Sequence, residues 1–321
     1  MADQKYSLNS AAYTNFTAPT LNKSFNVAII QPGSWGDNMN STLMLKPIKA
    51  RYPDSQIDVY TTSSYYSAFD NNPYIDNFIV AEAVGKNMCL NFVHIFPDLI
   101  KDLGYQAIIN ASPCINPGNW SSCRFPGLGE NLILSWARAL DNLSIEYELP
   151  LETILQLRQP EIDKVEDFYR QLNADQMFKV LMEVEGESGQ SFWNPGWTYE
   201  VCQKILSRPN TLVFISKRYT DNVINTLIEQ HPNRVKFVGD FSIRECAHLY
   251  NKCDAFISIS SGLSNACNTN WCKNDIIWIE VVNSTACSSH PIRSEGKTFW
   301  HQNDLEFFKQ QLARLLYGED I

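Results

Sequence analysis

The sequence predicts an α/β protein of two domains, each a parallel sheet with helices packed against it. Three observations lead there. Short apolar runs without polar alternation, such as Val27 to Ile30, Thr211 to Ser216 and Asp254 to Ser260, read as strands buried on both faces, the habit of parallel sheets. These runs alternate along the chain with stretches of helical period. At 321 residues the chain is long for one core and comfortable for two, and the alternation restarts after a boundary between about 150 and 176.

In order, residues 1–24 form a polar arm rich in Asn, Thr and Ser; it has no apolar stretch of the kind a secretory signal needs. The first strand, Asn26 to Ile30, is stopped by Pro32, Gly33 and Gly36, which let the backbone turn sharply. Asp37 and Asn38 stand where a helix N-cap belongs, ahead of Leu43, Leu45 and Ile48. That puts a carboxylate at the carboxyl end of a parallel strand, where open α/β sheets bind ligands. Asp37 therefore reads either as a helix cap or as a functional acid.

Pro53 closes the helix, and a second strand spans Gln56 to Thr61. A short helix and a proline turn at Pro73 lead to a strand from Asn77 to Val80. A helical pattern from Leu90 to Leu103 ends at Gly104, the position of a left-handed C-terminal glycine, and another strand covers Tyr105 to Ala111. The loop of residues 112–129 carries Asn119, Trp120 and Arg124 directly after that strand, a place for ligand contact or for covering the core. Leu132 to Leu140 reads as helix, and Glu146 to Leu157 is ambiguous.

The second half opens with a linking helix over Asp163 to Leu172, then a strand over Met177 to Val184 and a glycine turn at 185–189. Helix 199–206, strand 211–216, helix 222–230 and strand 235–239 follow. Ser242 with Glu245 three residues later forms a capping box for helix 243–252. Strand 254–260 runs into Ser260-Ser261-Gly262 and a helix through Ala266. A strand at 276–281 and an amphipathic helix from Asp304 to Leu316 complete the pattern.

Ser260-Ser261-Gly262, opening a helix, offers N–H groups and hydroxyls suited to an anion such as a diphosphate, although most such turns bind nothing; Gly186 and Gly189, Gly239 and Gly262 are the second half's glycine turns at strand ends. Lys217 and Arg218, following a strand, either add positive charge at that edge or are solvated surface. No phosphate-binding Gly-x-x-x-x-Gly-Lys-Ser/Thr, dinucleotide Gly-x-Gly-x-x-Gly, Gly-x-Ser-x-Gly elbow or His-Glu-x-x-His is present, which demotes kinase, dehydrogenase, hydrolase and zinc-enzyme readings. The nine cysteines include no Cys-x-x-Cys. The spacings of Cys246, Cys253, Cys267, Cys272 and Cys287 fit no structural zinc pattern, so reduced thiols in a cytoplasm-like compartment are expected. The net charge of −9 argues against broad non-specific nucleic-acid binding, and no apolar run reaches the ~18 residues a membrane span requires.

Several stretches together resemble the bacterial heptosyltransferases. The turn ending at Asp37, Leu45-x-x-Ile-Lys-Ala-Arg-Tyr-Pro53, Ile57-Asp58-Val59 and Asn72-Pro-Tyr-Ile-Asp76 are similar to that family's opening segment. Phe237-Val-Gly-Asp through Ser264 is similar to its donor-site segment. The resemblance spans roughly residues 25–300 in matching order. It departs where Ser260-Ser261-Gly262 and Asn265 replace Asp-Thr-Gly and a nearby His, and where Ser191-Phe192 precede Trp193 in place of the family's Lys.

The resemblance implies a GT-B fold: two Rossmann-like α/β domains with parallel sheets facing a central cleft. Residues 25–160 would be the acceptor side, 161–302 the nucleotide-sugar side, and 303–321 a C-terminal helix packing back toward the first domain. It implies a metal-independent, inverting glycosyltransferase with no bound cofactor, moving a sugar from a nucleotide-sugar donor to a hydroxyl on a lipopolysaccharide-type or other surface glycan. The compartment would be cytoplasmic, at most peripheral to the inner membrane. Asp37 would be the general base; Gly36, Asn38, Asn119, Trp120 and Arg124 would meet the acceptor. Gly186, Ser188, Lys217, Arg218, Ser260, Ser261, Gly262 and Ser264 would meet the donor. Two alternatives stay open: a viral-type enzyme glycosylating modified DNA bases, where nucleic acid is the partner, and a relative that binds sugar nucleotides without turnover.

Overall fold

The computed structural model describes residues 19–80, 100–111, 139–141, 143–148, 151–186, 193–282 and 297–301, and near the C-terminus 308, 309, 312, 314, 316 and 318. The chain divides into two compact units, the second running from Glu148 to Ile321.

The first unit holds a parallel sheet of β1 (Phe25–Ile30), β2 (Ser55–Thr61), β3 (Asn77–Val80) and β4 (Ala107–Asn110), in the order β3-β2-β1-β4. β1 and β2 are buried along nearly their whole length; in β1 this matches the apolar run Val27 to Ile30, whereas β2 buries polar residues as well. Between them lie α1 (Trp35–Ser41), a tight turn at Thr42–Met44, and α2 (Leu45–Arg51). The break has a cause in Pro47, which has no N–H and would drive its ring into the Leu43 carbonyl of a continuous helix. Restarting at Leu45 places it in a first turn, where neither matters.

α1 begins three residues earlier than the sequence suggests. Ser34 is the N-cap, and Asp37 is the third helical residue, its carboxylate closing back on the cap. The expectation that Asp37 or Asn38 caps the helix is thereby corrected. Gly104 does adopt the left-handed conformation, φ 94°, after a short helical turn at Lys101–Leu103. The rest of the helix expected over 90–103 and the loop at 112–129 lie outside the described residues.

Asp58, buried in the middle of β2, accepts hydrogen bonds from Gln56 Nε2 (2.9 Å), Asn77 Nδ2 (2.7 Å) and Tyr105 Oη (2.7 Å). Donors from β2 itself, from the neighbouring β3 and from Tyr105 just ahead of β4 thus make a buried carboxylate tolerable.

The second unit begins with an extended strap, not with the helix. Thr153 Oγ1 donates to the Asn268 carbonyl at 2.8 Å, and Asn270 Oδ1 accepts from Leu155 N–H at 2.8 Å. Leu151, Ile154, Leu155 and Leu157 are buried, so the division falls at 147/148, ahead of the expected 160/161.

Helix α3 (Gln159–Arg170) follows, then β5 (Phe178–Glu183), α4 (Pro195–Leu206), β6 (Thr211–Ser216), α5 (Asn222–Gln230) and β7 (Val235–Phe237). Next come α6 (Ile243–Tyr250), β8 (Ala255–Ile259), α7 (Gly262–Cys267), β9 (Ile277–Val282) and β10 (Lys297–His301). The expected capping box is formed, with Ser242 Oγ accepting from Glu245 N–H and Glu245 Oε2 from Ser242 N–H. β10 is a strand that the sequence reading misses.

The six strands are parallel and ordered β10-β9-β8-β5-β6-β7. Numbered within the unit, that is the doubly wound order 3-2-1-4-5-6, read from the other edge. One face packs Val180, Met182, Ile215 and Ile257 against Val201 and Ile205 of α4. Phe308, Leu312 and Leu316, from the apolar stripe of the last expected helix, belong to this same core. Across the sheet's other face, α3 is tied to α6 by charge: Arg244 meets Glu161 at 2.6 Å and Lys164 meets Glu245 at 2.9 Å. Among the described residues no helix is long and apolar enough to cross a membrane.

Candidate active site

Ligands in open α/β sheets collect at the carboxyl ends of the two strands where the winding reverses, because adjoining connections leave to opposite faces there and open a crevice. In the first unit those strands are β1 and β4; in the second they are β5 and β8.

At the first switch point the chain leaves β1 through Gln31, which is fully buried. Its Nε2 donates to the Ala111 carbonyl at 2.7 Å, tying the end of β1 to the end of β4, while its Oε1 accepts from Gly33 N–H at 3.0 Å. Gly33 is there for space. A Cβ at that position would stand 2.8 Å from both Asp37 Oδ2 and Gln31 Oε1, and 2.9 Å from Asp37 Cβ.

Asp37 Oδ2 accepts from Ser34 N–H at 3.0 Å and from Ser34 Oγ at 2.8 Å. Burial pushes its carboxyl above the usual range, and the two Ser34 bonds offset that only in part. Asn38 is buried and committed to the turn: Nδ2 donates to the carbonyls of Gly33 and Ser34, both at 3.0 Å, and Oδ1 accepts from Thr61 Oγ1. Trp35 Nε1 donates to Ser67 Oγ at 3.1 Å, and Gly36 is buried beside it. The result is a rigid turn presenting one half-buried carboxylate of raised basicity. Of the acceptor-side candidates, Gly36 and Asn38 share this turn; Asn119, Trp120 and Arg124 lie outside the described residues.

At the second switch point, Ser261 caps α7, its Oγ accepting from Leu263 N–H (3.1 Å) and Ser264 N–H (3.2 Å). Its one hydroxyl proton goes to Glu183 Oε1, at 2.5 Å. Ser264 Oγ accepts from Ser261 N–H and donates to the Ser261 carbonyl, which Asn265 Nδ2 also reaches at 2.7 Å. The hydroxyls of Ser261 and Ser264 are therefore spent on the turn itself. What the turn can offer an anion is main-chain N–H, such as that of Gly262 at the first helical position, which has no intrahelical acceptor. Gly186 lies alongside; a Cβ on it would come within 2.7 Å of Ile259 Cδ1. Ser188 lies outside the described residues.

Lys217, past the end of β6, pairs with Asp221 at 2.6 Å. Burial would raise the Asp221 carboxyl, but Lys217 and the Ile224 N–H together hold it below its ordinary value. Arg218 N–H donates to Glu185 Oε2 at 3.0 Å, and its guanidinium lies 5.6 Å from the centre of the exposed Tyr219 ring.

Two buried groups went unmarked in the sequence, Gln31 and Glu183. Glu183 closes β5 and is 5% exposed. Burial pushes its carboxyl up to about 8; the Ser261 bond works against this, and Glu280 on β9 adds to it. A lone acid ending the run Val180-Leu181-Met182-Glu183 was the available signal. Among the described residues no cluster of three or more His, Cys, Asp or Glu could hold a metal ion, and Cys202, Cys246, Cys253, Cys267 and Cys272 are buried and free.

No protein-family model and no curated protein matches this chain. Solved structures do. The chain is similar to a glycosyl transferase family 9 protein from Veillonella parvula, with TM-score 0.68 and 13% identity over 91% of this chain and 90% of that one. It is similar to the E. coli ADP-heptose lipopolysaccharide heptosyltransferase II, with TM-score 0.59 and 13% identity over 92% of this chain and all of that one. E. coli heptosyltransferase WaaC with ADP gives TM-score 0.58 at 12% identity, over 91% of this chain and all of that one. The shared property is the fold: two Rossmann-like α/β units of the GT-B type, the class that the resemblance in sequence implies.

Proposed function

We propose that the protein is a glycosyltransferase that moves a sugar from a nucleotide-sugar donor to an acceptor hydroxyl, with Asp37 as general base. The observation that carries this reading is the Asp37 turn. A carboxylate held at the switch point of a GT-B-type first unit, and made more basic by burial, suits proton abstraction from an alcohol. As the acceptor oxygen attacks the anomeric carbon, its proton passes to the Asp37 carboxylate. The bond from that carbon to the diphosphate oxygen breaks, and the nucleoside diphosphate leaves with the electron pair. A single displacement of this kind inverts the anomeric centre.

The second unit would hold the donor at its own switch point, with main-chain N–H groups of the Ser260–Gly262 turn toward the diphosphate. ADP bound to one of the fold's neighbours supports a nucleoside diphosphate as the leaving group. We read the reaction as needing no metal, the acceptor as a surface glycan and the compartment as cytoplasmic. The acceptor part follows the sequence resemblance and the net charge of −9, which does not favour a DNA substrate.

The experiment is a thermal-shift screen over nucleoside diphosphates and nucleotide sugars, followed by assay of nucleoside diphosphate release from each binder. A ligand at 100 times its dissociation constant should stabilise the protein by about 2.7 kcal/mol. A protein that binds none of them is not a glycosyltransferase of this kind. One that binds but neither transfers nor hydrolyses across a panel of glycan acceptors is a non-catalytic relative. If an acceptor is found, its binding should be nearly insensitive to salt; a steep loss with added salt would point to DNA.

A further inference from the structure

In the second sheet, register places Glu183 beside Ser216 on β6, and Ser258 beside Glu280 on β9. Because Met182 pairs with Ile257, Glu183 and Ser258 fall in the same row. Neighbours in register on parallel strands point to one face. Ser216, Glu183, Ser258 and Glu280 therefore form a polar row across four strands, beneath α6 and α7. Part of the row is internally satisfied: Trp278 Nε1 donates to Ser258 Oγ at 2.8 Å, and Ser216 Oγ contacts Cys246 Sγ at 3.7 Å. Glu183 Oε1 receives the Ser261 hydroxyl, whereas Oε2 is fully enclosed and accepts no well-formed hydrogen bond among the described residues; the Ile259 N–H draws the carboxyl down, less than burial raises it.

We propose that Glu183 is the positioning residue of the donor turn, holding Ser261 in place through one carboxyl oxygen while a proton on the other keeps negative charge away from a bound nucleoside diphosphate. The inference rests on the donor reading above and deepens it, since it makes donor binding proton-linked. An ionised Glu183 would put an uncompensated charge under the same helical turn that is to receive an anion, with a second acid two strands away. The hydroxyl of Ser261 accepts two main-chain N–H groups of α7, so whatever fixes that hydroxyl fixes the direction of those N–H groups.

The titratable groups facing Glu183 are Glu280 on β9, Cys246 from α6 and Cys267 from α7, and none is a cation. Burial pushes the Cys246 thiol up to about 12 and the Cys267 thiol well above its ordinary value, so both keep their protons through the range in question. Burial pushes the Glu183 carboxyl up to about 8, and the charge of Glu280 on β9 pushes it the same way.

The test is the affinity of the full chain for ADP and UDP, by calorimetry, from pH 7 to pH 9. The nucleotide's terminal phosphate, with a second pKa near ~6, is already ionised there. Wild type should bind about tenfold more weakly at pH 9 than at pH 7, following the fraction of protonated Glu183. Glu183→Gln, whose amide mimics the neutral acid, should bind like wild type at pH 7 and show no such loss at pH 9. Glu183→Ala, which frees Ser261, should bind more weakly at both. A ligand-free reading needs no nucleotide: wild type should lose urea resistance relative to Glu183→Gln as pH rises from about 4.5 toward about 8, and the difference should level off above that. Wild-type affinity that is flat from pH 7 to pH 9, or a Glu183→Gln variant with the wild-type slope, overturns the positioning role and leaves the donor reading standing. Absence of ADP and UDP binding at every pH overturns both.

Discussion

Replacing Gly33 by alanine perturbs the candidate base without replacing it. The added methyl would sit 2.8 Å from Asp37 Oδ2 and 2.9 Å from Asp37 Cβ, where ordinary contact begins at 3.4 Å. Turning the Asp37 side chain can relieve the first clash but not the second, because helix α1 fixes the Cβ. The backbone of the turn must therefore move by about half an ångström, carrying Asp37 with it and straining the Gly33 N–H bond to Gln31. Overpacking of this kind costs about 1–3 kcal/mol of stability. A catalytic group misplaced by ~1 Å can cost 100-fold in rate, so a displacement half as large should cost roughly tenfold. The assay is kcat for nucleoside diphosphate release, alongside ADP affinity and urea unfolding. The prediction is a fall in kcat and stability with ADP affinity unchanged, since the donor turn lies in the other unit. A Gly33→Ala enzyme with wild-type kcat would refute the reasoning that this glycine exists to place Asp37.

Other expected outcomes follow the same logic. Ser34→Ala removes the hydroxyl that lowers the Asp37 carboxyl, so the acid limb of the kcat/KM pH profile should move to higher pH; an unmoved limb would detach Ser34 from the base. Arg244→Ala strands Glu161 at the α3–α6 contact and should cost about 3–5 kcal/mol in urea unfolding. Burial pushes the Glu161 carboxyl up, yet Arg244 and the Arg158 N–H bring it below its ordinary value. The stability this pair contributes should thus be present above about pH 4.5 and fade as pH falls further, in wild type but not in Arg244→Ala. Asp58→Ala leaves the buried donors of Gln56, Asn77 and Tyr105 without their acceptor, and should cost roughly 2–5 kcal/mol.

The order of strands and helices was largely readable because parallel strands buried on both faces leave unbroken apolar runs, and because caps such as Ser242–Glu245 and Gly104 are local chemistry. The start of α1 was misplaced because Asp is at home both as an N-cap and at the third helical position. Only the closure of its carboxylate onto Ser34 tells them apart. β10 escaped because its five residues follow no apolar pattern, and its place depends on pairing with β9. The candidate base could be named from the glycine turn and the motif order. Its support could not, because Gln31 acts through Ala111, eighty residues away. The Ser260–Gly262 turn could be marked as a strand-to-helix turn, but the roles of its hydroxyls could not be read. Ser261 and Ser264 read as ligand groups, whereas in the fold they satisfy α7 and Glu183.

The central claim is that Asp37 takes the proton of the acceptor hydroxyl, and single-turnover transfer by Asp37→Asn with a donor identified in the binding screen tests it most directly. Asparagine keeps the size and can still accept from Ser34, but cannot receive a proton. General-base catalysis contributes typically 10²–10⁴-fold, so the rate should fall by about that much while ADP affinity and urea stability stay near wild type. An Asp37→Asn enzyme that transfers sugar at close to the wild-type rate, with donor affinity unchanged, would contradict the account.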